Sequence, residues 1–426
     1  MREMSRTKVP VAVLGGVRTP YVKPGENFRE LSNLELGSLV GREALYRVEV
    51  PPHWVDESIW AQGEGIGDGG MAHRISTGAG ILEDRPAFTV VQGGCAGLQA
   101  VALAYEKIAS GCAQVVLVAG GESVSQMPWV CHPSWVEFFR FRSSISFWGR
   151  IRRWLFFNFS HLRPLELMEV YRREALRLAE RLAREFGISC EEQDRFTLRS
   201  HRFYMKAREA RKVAGELMPV YLAPRFDKVV DRDTFPIESV SQDAIELLRH
   251  VEVREGGGVT SGSVAPLVDG ACALVLANGD WARAEGIVPL GYIRSYAFCG
   301  VSQRAEGLGG AVAAHLSLQK LSMSLKDMEL FEIYEGSAAL VLALQLAFSS
   351  QRFAHEVLGR SQSLGEVVSH RLNPNGGALA LGDCRGGSGL QMLLSLLGEL
   401  RSQDLEWGCV VVSSGLREGG GVVVQR

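Results

Sequence analysis

One tripeptide, Gly-Leu-Gln, stands twice at the start of an apolar stretch, at Gly97-Leu98-Gln99 and at Gly389-Leu390-Gln391, and the surroundings of the two copies correspond. In the first copy an apolar run from Pro86 to Val91 leads through Gly93 and Gly94 into Leu98–Ile108. In the second, the segment Leu372–Ala380 leads through a glycine-rich turn into Met392–Leu400. Each copy reads as a buried strand segment, a tight turn and a helix that is apolar on nearly every face. A strand-like segment follows in both, Gln114–Gly121 and Cys409–Gly415, and an earlier pair, Val11–Arg18 and Pro289–Arg294, also corresponds. A chain that repeats a whole α/β unit in this way folds as two similar halves packed together, with a site between them.

Cys95 sits in the turn of the first copy, within Gly94-Cys95-Ala96-Gly97. Free N–H groups and the positive end of the helix dipole favour a thiolate there, which suits a nucleophile. The alternative is a small buried core cysteine.

Composition narrows the class. With 426 residues, 46% hydrophobic and 22% charged, the chain can bury substantial cores in two or three units. A net charge of −2 gives no global attraction for nucleic acid. Eight cysteines without paired spacing and nine histidines without clustering indicate neither a disulfide framework nor a metal site, and a reducing, cytoplasmic location is expected. The first apolar strand is reached by Val9, which leaves no room for a signal or transit peptide. No uninterrupted apolar run approaches the roughly 20 residues of a membrane span.

The motifs around these units resemble the thiolase superfamily. Gly94-Cys95-Ala96-Gly97 is similar to the family's reactive-cysteine turn, and Ala119–Pro128 is similar to its glycine-glycine-x-glutamate-serine stretch. Asn373–Gly382 resembles its asparagine-x-asparagine-glycine-glycine block, and Gly415 and Gly419 fall in the C-terminal glycine motif. Val288–Phe298 and Arg352–Arg360 add a likeness to the 3-ketoacyl-CoA thiolase β-subunits of fatty-acid oxidation (trifunctional) complexes. The resemblance implies an α/β thiolase fold, two similar halves forming five layers (αβαβα) with an inserted, mainly helical loop domain. The implied division is 1–126 for the first part of the N-terminal half, 127–250 for the insertion, 251–283 for the return and 284–426 for the C-terminal half. It also implies CoA or acyl-CoA as substrate with no separate cofactor, and a homodimer, within or outside a larger fatty-acid oxidation complex.

The family's catalytic set is only partly present. Cys95 holds the nucleophile position. Asp383 stands at the usual histidine, in Gly382-Asp383-Cys384, and Tyr334 stands at the usual asparagine or histidine, in Tyr334-Glu335-Gly336. Ser413, aligned without a gap through Gly419, stands at the usual acid/base cysteine. The backbone N–H groups of Cys95 and Gly415 match the family's other oxyanion hole. An ionised Asp383 only accepts and repels a developing enolate, and a serine hydroxyl holds its proton too tightly to shuttle it unaided. Loss of one oxyanion donor alone typically costs about 100- to 1,000-fold in rate.

The expectation is an acyltransferase that acylates Cys95 but carries out thiolysis weakly. The alternative is a catalytically reduced homologue kept for acyl-CoA binding, complex assembly or membrane docking. Two rescues stay open beside simple drift. Tyr334 and a protonated Asp383 would match the enolate-stabilising pair of ketosteroid isomerase, and Cys384 would replace the missing second thiol.

The insertion has its own signals. A long helical stretch, Leu165–Phe186, is dense in arginine and glutamate, and a second helix opens at the capping box Ser189-Cys190-Glu191-Glu192 and runs to Ala214. In the return, Ser263 and Ala265 mark the region where the family contacts CoA, with Ala265 at a usual serine. Phe138–Phe159 mixes aromatics with arginines and contains no acid, which suits a peripheral membrane contact, a subunit contact or the wall of an acyl tunnel.

Overall fold

The computed structural model describes residues 9–63, 70–128, 167–237, 258–415 and 417–426; the segment Phe138–Phe159 lies outside them. The N-terminal half runs β1 (Val11–Arg18), α1 (Asn33–Arg47), β2 (Glu57–Gln62), α2 (Met71–Gly78), β3 (Ala87–Val91), α3 (Ala96–Ala109) and β4 (Val115–Glu122). The inserted region carries α4 (Leu167–Phe186), α5 (Cys190–Glu209) and a short antiparallel pair, β5 (Val220–Leu222) and β6 (Lys228–Val230). Strand β7 (Gly270–Asn278) then returns to the first half. The C-terminal half follows as β8 (Gly291–Gly300), α6 (Gly309–Gln319), β9 (Leu330–Ile333), α7 (Ala338–Ser349), α8 (Ser388–Ser402), β10 (Trp407–Ser414) and β11 (Glu418–Gln425).

Among the described residues, nine strands form one sheet in the order β3-β2-β4-β7-β1-β8-β11-β10-β9. The halves meet where Val11, Ala12 and Val13 pair antiparallel with Ile293, Tyr292 and Gly291. Reading outward from that seam, each half has its first strand, then its last, then the two parallel strands. The counterpart of β3 in the second half shrinks to one parallel bridge, Leu372 to Phe331. Strands β4, β7 and β10 are runs of apolar and small residues because both of their faces are covered. β3, expected to be buried, is the outermost strand, and Val91 is 48% exposed. A short apolar run reads the same at the edge and at the centre of a sheet.

Helices α3 and α8 touch each other and lie against strands of both halves, while α1 and α2 cover the first half and α6 the second. That position explains why α3 and α8 lack a polar face. It also explains the repeated glycines. A Cβ on Gly97 would sit 2.7 Å from the Gly386 carbonyl oxygen, and one on Gly389 would sit 3.0 Å from the Leu98 nitrogen. The two helix starts cross in backbone contact, and only glycine permits it.

The inserted region is pinned to β1 by charge. Arg18, fully buried, donates to Glu216 Oε1 at 3.1 Å and to both oxygens of Asp233 at 2.7 and 3.0 Å. The Ser189–Glu192 capping box forms as expected. Helix α5 ends at Glu209 rather than Ala214, because Arg211 takes a left-handed conformation (φ 57°) and Lys212–Gly215 form a tight turn. That turn carries Glu216 to Arg18. Among the described residues, no helix is long and apolar enough to cross a membrane.

Candidate active site

A cavity of about 410 Å³ opens where the two halves meet α4. Tyr334, Asp383, Ser413 and Gly415 all line it, as does Ala265. The fold therefore gathers the positions that the sequence pointed to. Tyr171 and Leu178 of α4 close the opposite side.

Cys95 ends a 3-10 turn, Gly93–Cys95, and caps α3. It is fully buried, behind the wall that Gly93 and Gly94 present to the cavity. Burial pushes its thiol up to about 12, the Glu418 charge adds to this, and the N–H and hydroxyl of Ser414 act in the opposite sense. Burial therefore works against the thiolate that the helix start favours. A helix N-terminus contributes roughly 1 kcal/mol, under one pH unit, whereas full burial shifts a titration by up to about 3–5 units. The Cys95 N–H donates to the Gln92 carbonyl at 3.0 Å, so the donor assigned to the oxyanion hole is engaged within its own turn.

Asp383 is surrounded by donors. Its Oδ1 accepts from the Arg385 N–H and the Ser388 hydroxyl, each at 2.8 Å. Its Oδ2 accepts from the Tyr334 hydroxyl at 2.6 Å and lies 3.7 Å from the Arg385 guanidinium. Burial, then the Asp383 charge, hold the Tyr334 hydroxyl well above its ordinary range, so it stays protonated. Tyr334 and Asp383 do form a pair, but the enolate-stabilising arrangement needs both to donate outward. Here Tyr334 donates to an accepting carboxylate.

The remaining candidates are placed plainly. Ser413 Oγ accepts from the Gly310 N–H at 2.7 Å. The Cys384 thiol donates to the Gly270 carbonyl at 2.9 Å, is pushed up by burial and does not line the cavity, so it does not stand in for the second thiol. The Ser263 hydroxyl donates to the Thr260 carbonyl at 2.9 Å and is buried, and the cavity wall in that segment is formed by Val264, Ala265, Pro266 and Leu267. Among the described residues, no group of His, Cys, Asp and Glu side chains is arranged to hold a metal ion.

Arg385 and Ser414 are among the cavity residues that the sequence reading did not single out. Arg385 stacks its guanidinium 4.8 Å from the Tyr171 ring, which ties the floor of the cavity to α4. It occupies the place that Gly93 takes in the first copy, and both are left-handed, with φ 47° and 50°. An arginine where the repeat has glycine is a signal the sequence did contain. The other, Ser414, carried no signal.

Comparison with known proteins matches this fold. A family model described as the thiolase N-terminal domain matches residues 11–280, and one described as the thiolase C-terminal domain matches residues 287–426. The 3-ketoacyl-CoA thiolase of Klebsiella pneumoniae is 30% identical over 425 residues, covering 97% of this chain and 96% of its own. That of Pectobacterium atrosepticum is 31% identical over 401 residues, covering 92% and 91%. Among solved structures, the acetyl-CoA acetyltransferase of Bacillus anthracis superposes with a TM-score of 0.82 at 26% identity, covering 98% of this chain and 99% of the other. Human mitochondrial 3-ketoacyl-CoA thiolase superposes with a TM-score of 0.78 at 25% identity, covering 98% of each.

Proposed function

The chain belongs to the thiolase family, and from that premise we propose that it is a thiolase-type acyl-CoA acyltransferase of fatty-acid metabolism. It works through an acyl group carried on Cys95 and performs ordinary thiolysis of 3-ketoacyl-CoA slowly. The observation that carries this reading is one cavity with a retained cysteine behind its wall and Asp383, Tyr334 and Ser413 around it. The acyl thioester enters between α4 and the Val264–Leu267 segment, which lines the same cavity. Acyl transfer to sulfur needs a polarised carbonyl, and in this reading the N–H of Gly415, a residue of the cavity wall, is its donor.

Thiolysis needs more. A second thiol must lose its proton to a base while the departing enolate receives one, and Asp383 and Ser413 are already hydrogen-bonded elsewhere. Release of acetyl-CoA from a 3-ketoacyl-CoA and CoA tests this. Turnover well below the ordinary range of about 1 to 1,000 per second is expected, and an ordinary rate abolished in Cys95→Ala would contradict the slow-thiolysis part.

One observation favours a second reading. Tyr334, Asp383 and Arg385 engage one another, and the thiol is shut behind the wall. A catalytically reduced homologue that binds acyl-CoA for assembly would look the same at rest. In either case the chain acts as a homodimer, alone or within a larger fatty-acid oxidation complex, and sedimentation equilibrium measures that.

A further inference from the structure

Strand β10 ends in two adjacent hydroxyls that serve different neighbours, as alternation along a strand requires. Ser413 accepts from Gly310, at the start of α6. Ser414 lies against the turn that carries the nucleophile, since a Cβ on Gly93 would sit 4.0 Å from the Ser414 Cβ. Ser414 is 3% exposed and lines the cavity, and its Oγ makes no hydrogen bond to any described residue. Buried hydroxyls almost always find a partner, because leaving one unbonded forfeits its hydration without return.

We propose that Ser414 is the positioning residue of the nucleophile, its hydroxyl donating to the Cys95 sulfur whenever the thiolate forms. The inference rests on the reading of Cys95 as the acyl carrier. The Ser414 N–H and hydroxyl act toward the thiolate, against burial, the Glu418 charge on β11 and the Cys299 thiol on β8. Tyr171, Arg172 and Glu174 of α4, with Tyr334, Asp383 and Arg385, complete the titratable groups around the cavity. A sulfur buried this deeply carries charge only where local donors offset its lost hydration, and Ser414 brings both a backbone and a side-chain donor. No other described residue competes for the hydroxyl proton.

The test follows alkylation of Cys95 by iodoacetamide in the full-length protein, read as the modified peptide by mass spectrometry between pH 7 and pH 10. It compares wild type with Ser414→Ala, Ser414→Val and Ser414→Thr. Alkylation proceeds through the thiolate, so a rise of one pH unit in the thiol's titration lowers the rate about tenfold at each pH. The expected result is that fall in Ser414→Ala and Ser414→Val, with Ser414→Thr close to wild type. Valine and threonine share a shape, so the pair separates hydroxyl from packing even if the alanine variant fails to fold. Equal rates in Ser414→Thr and Ser414→Val overturn the proposal, as does faster alkylation in Ser414→Val, which marks mere loosening of the wall. No thioester is present, so the result is independent of whether Cys95 ever carries an acyl group.

Discussion

The Tyr334 hydroxyl donates to Asp383 Oδ2 at 2.6 Å, so two of the three residues expected at altered catalytic positions are hydrogen-bonded to each other at the cavity wall. The pair is buried, and Asp383 also receives Ser388 and the Arg385 backbone. Such a cluster stabilises the fold only as a complete set. Removing the acceptor strands several buried donors at once.

Asp383→Ala is therefore expected to destabilise the protein by about 3 kcal/mol, as removal of one member of a buried charged network does. Asp383→Asn should cost less, because its amide oxygen still accepts from one of the hydroxyls. Urea unfolding of both variants measures this. A loss under about 1 kcal/mol in Asp383→Ala would mean that the donors find other partners.

Restoring the family residues should be strongly non-additive. Asp383→His alone leaves Tyr334 without its acceptor, and Tyr334→Asn alone leaves Asp383 short of a donor. The triple variant with Ser413→Cys should raise thiolysis by more than the product of the single effects, because the residues act as a unit. Steady-state thiolysis across the seven combinations decides it, and multiplicative gains would contradict the linkage.

His201 gives a pH prediction away from the cavity. Burial lowers its titration from the ordinary 6.5 to about 4, and its Nδ1 accepts from the Ile237 N–H at 3.3 Å. The fold favours the neutral ring, so on acidification the unfolded chain takes up the proton first. This contribution is complete above about pH 6.5 and is lost progressively down to about pH 4, to a total of about 3 kcal/mol. The loss of stability between pH 7 and pH 4.5 should be smaller in His201→Gln than in wild type. Parallel losses would remove His201 from the account.

What the sequence revealed had direct physical causes. The Gly-Leu-Gln echo was legible because two helix starts touch where a Cβ would collide. The Ser189 cap was legible because its hydrogen bonds are local. The end of α5 was not, since Arg211 turns left-handed to deliver Glu216 to Arg18, a partner 198 residues away from that glutamate. The full burial of Cys95 was only one of two readings, because a helix start can be read from sequence whereas the depth at which it packs cannot. Ser414 was missed for a related reason. Which of two adjacent serines faces the nucleophile depends on the pleat at the strand end.

The central claim is that Cys95 carries an acyl group. Mass spectrometry of the protein after incubation with acetyl-CoA, a long-chain acyl-CoA and a 3-ketoacyl-CoA tests it most directly. The account predicts an acyl adduct on the Cys95 peptide with at least one thioester, absent in Cys95→Ala. Bound CoA thioester with no adduct on Cys95 at any chain length would contradict it and leave the acyl-CoA-binding homologue as the reading.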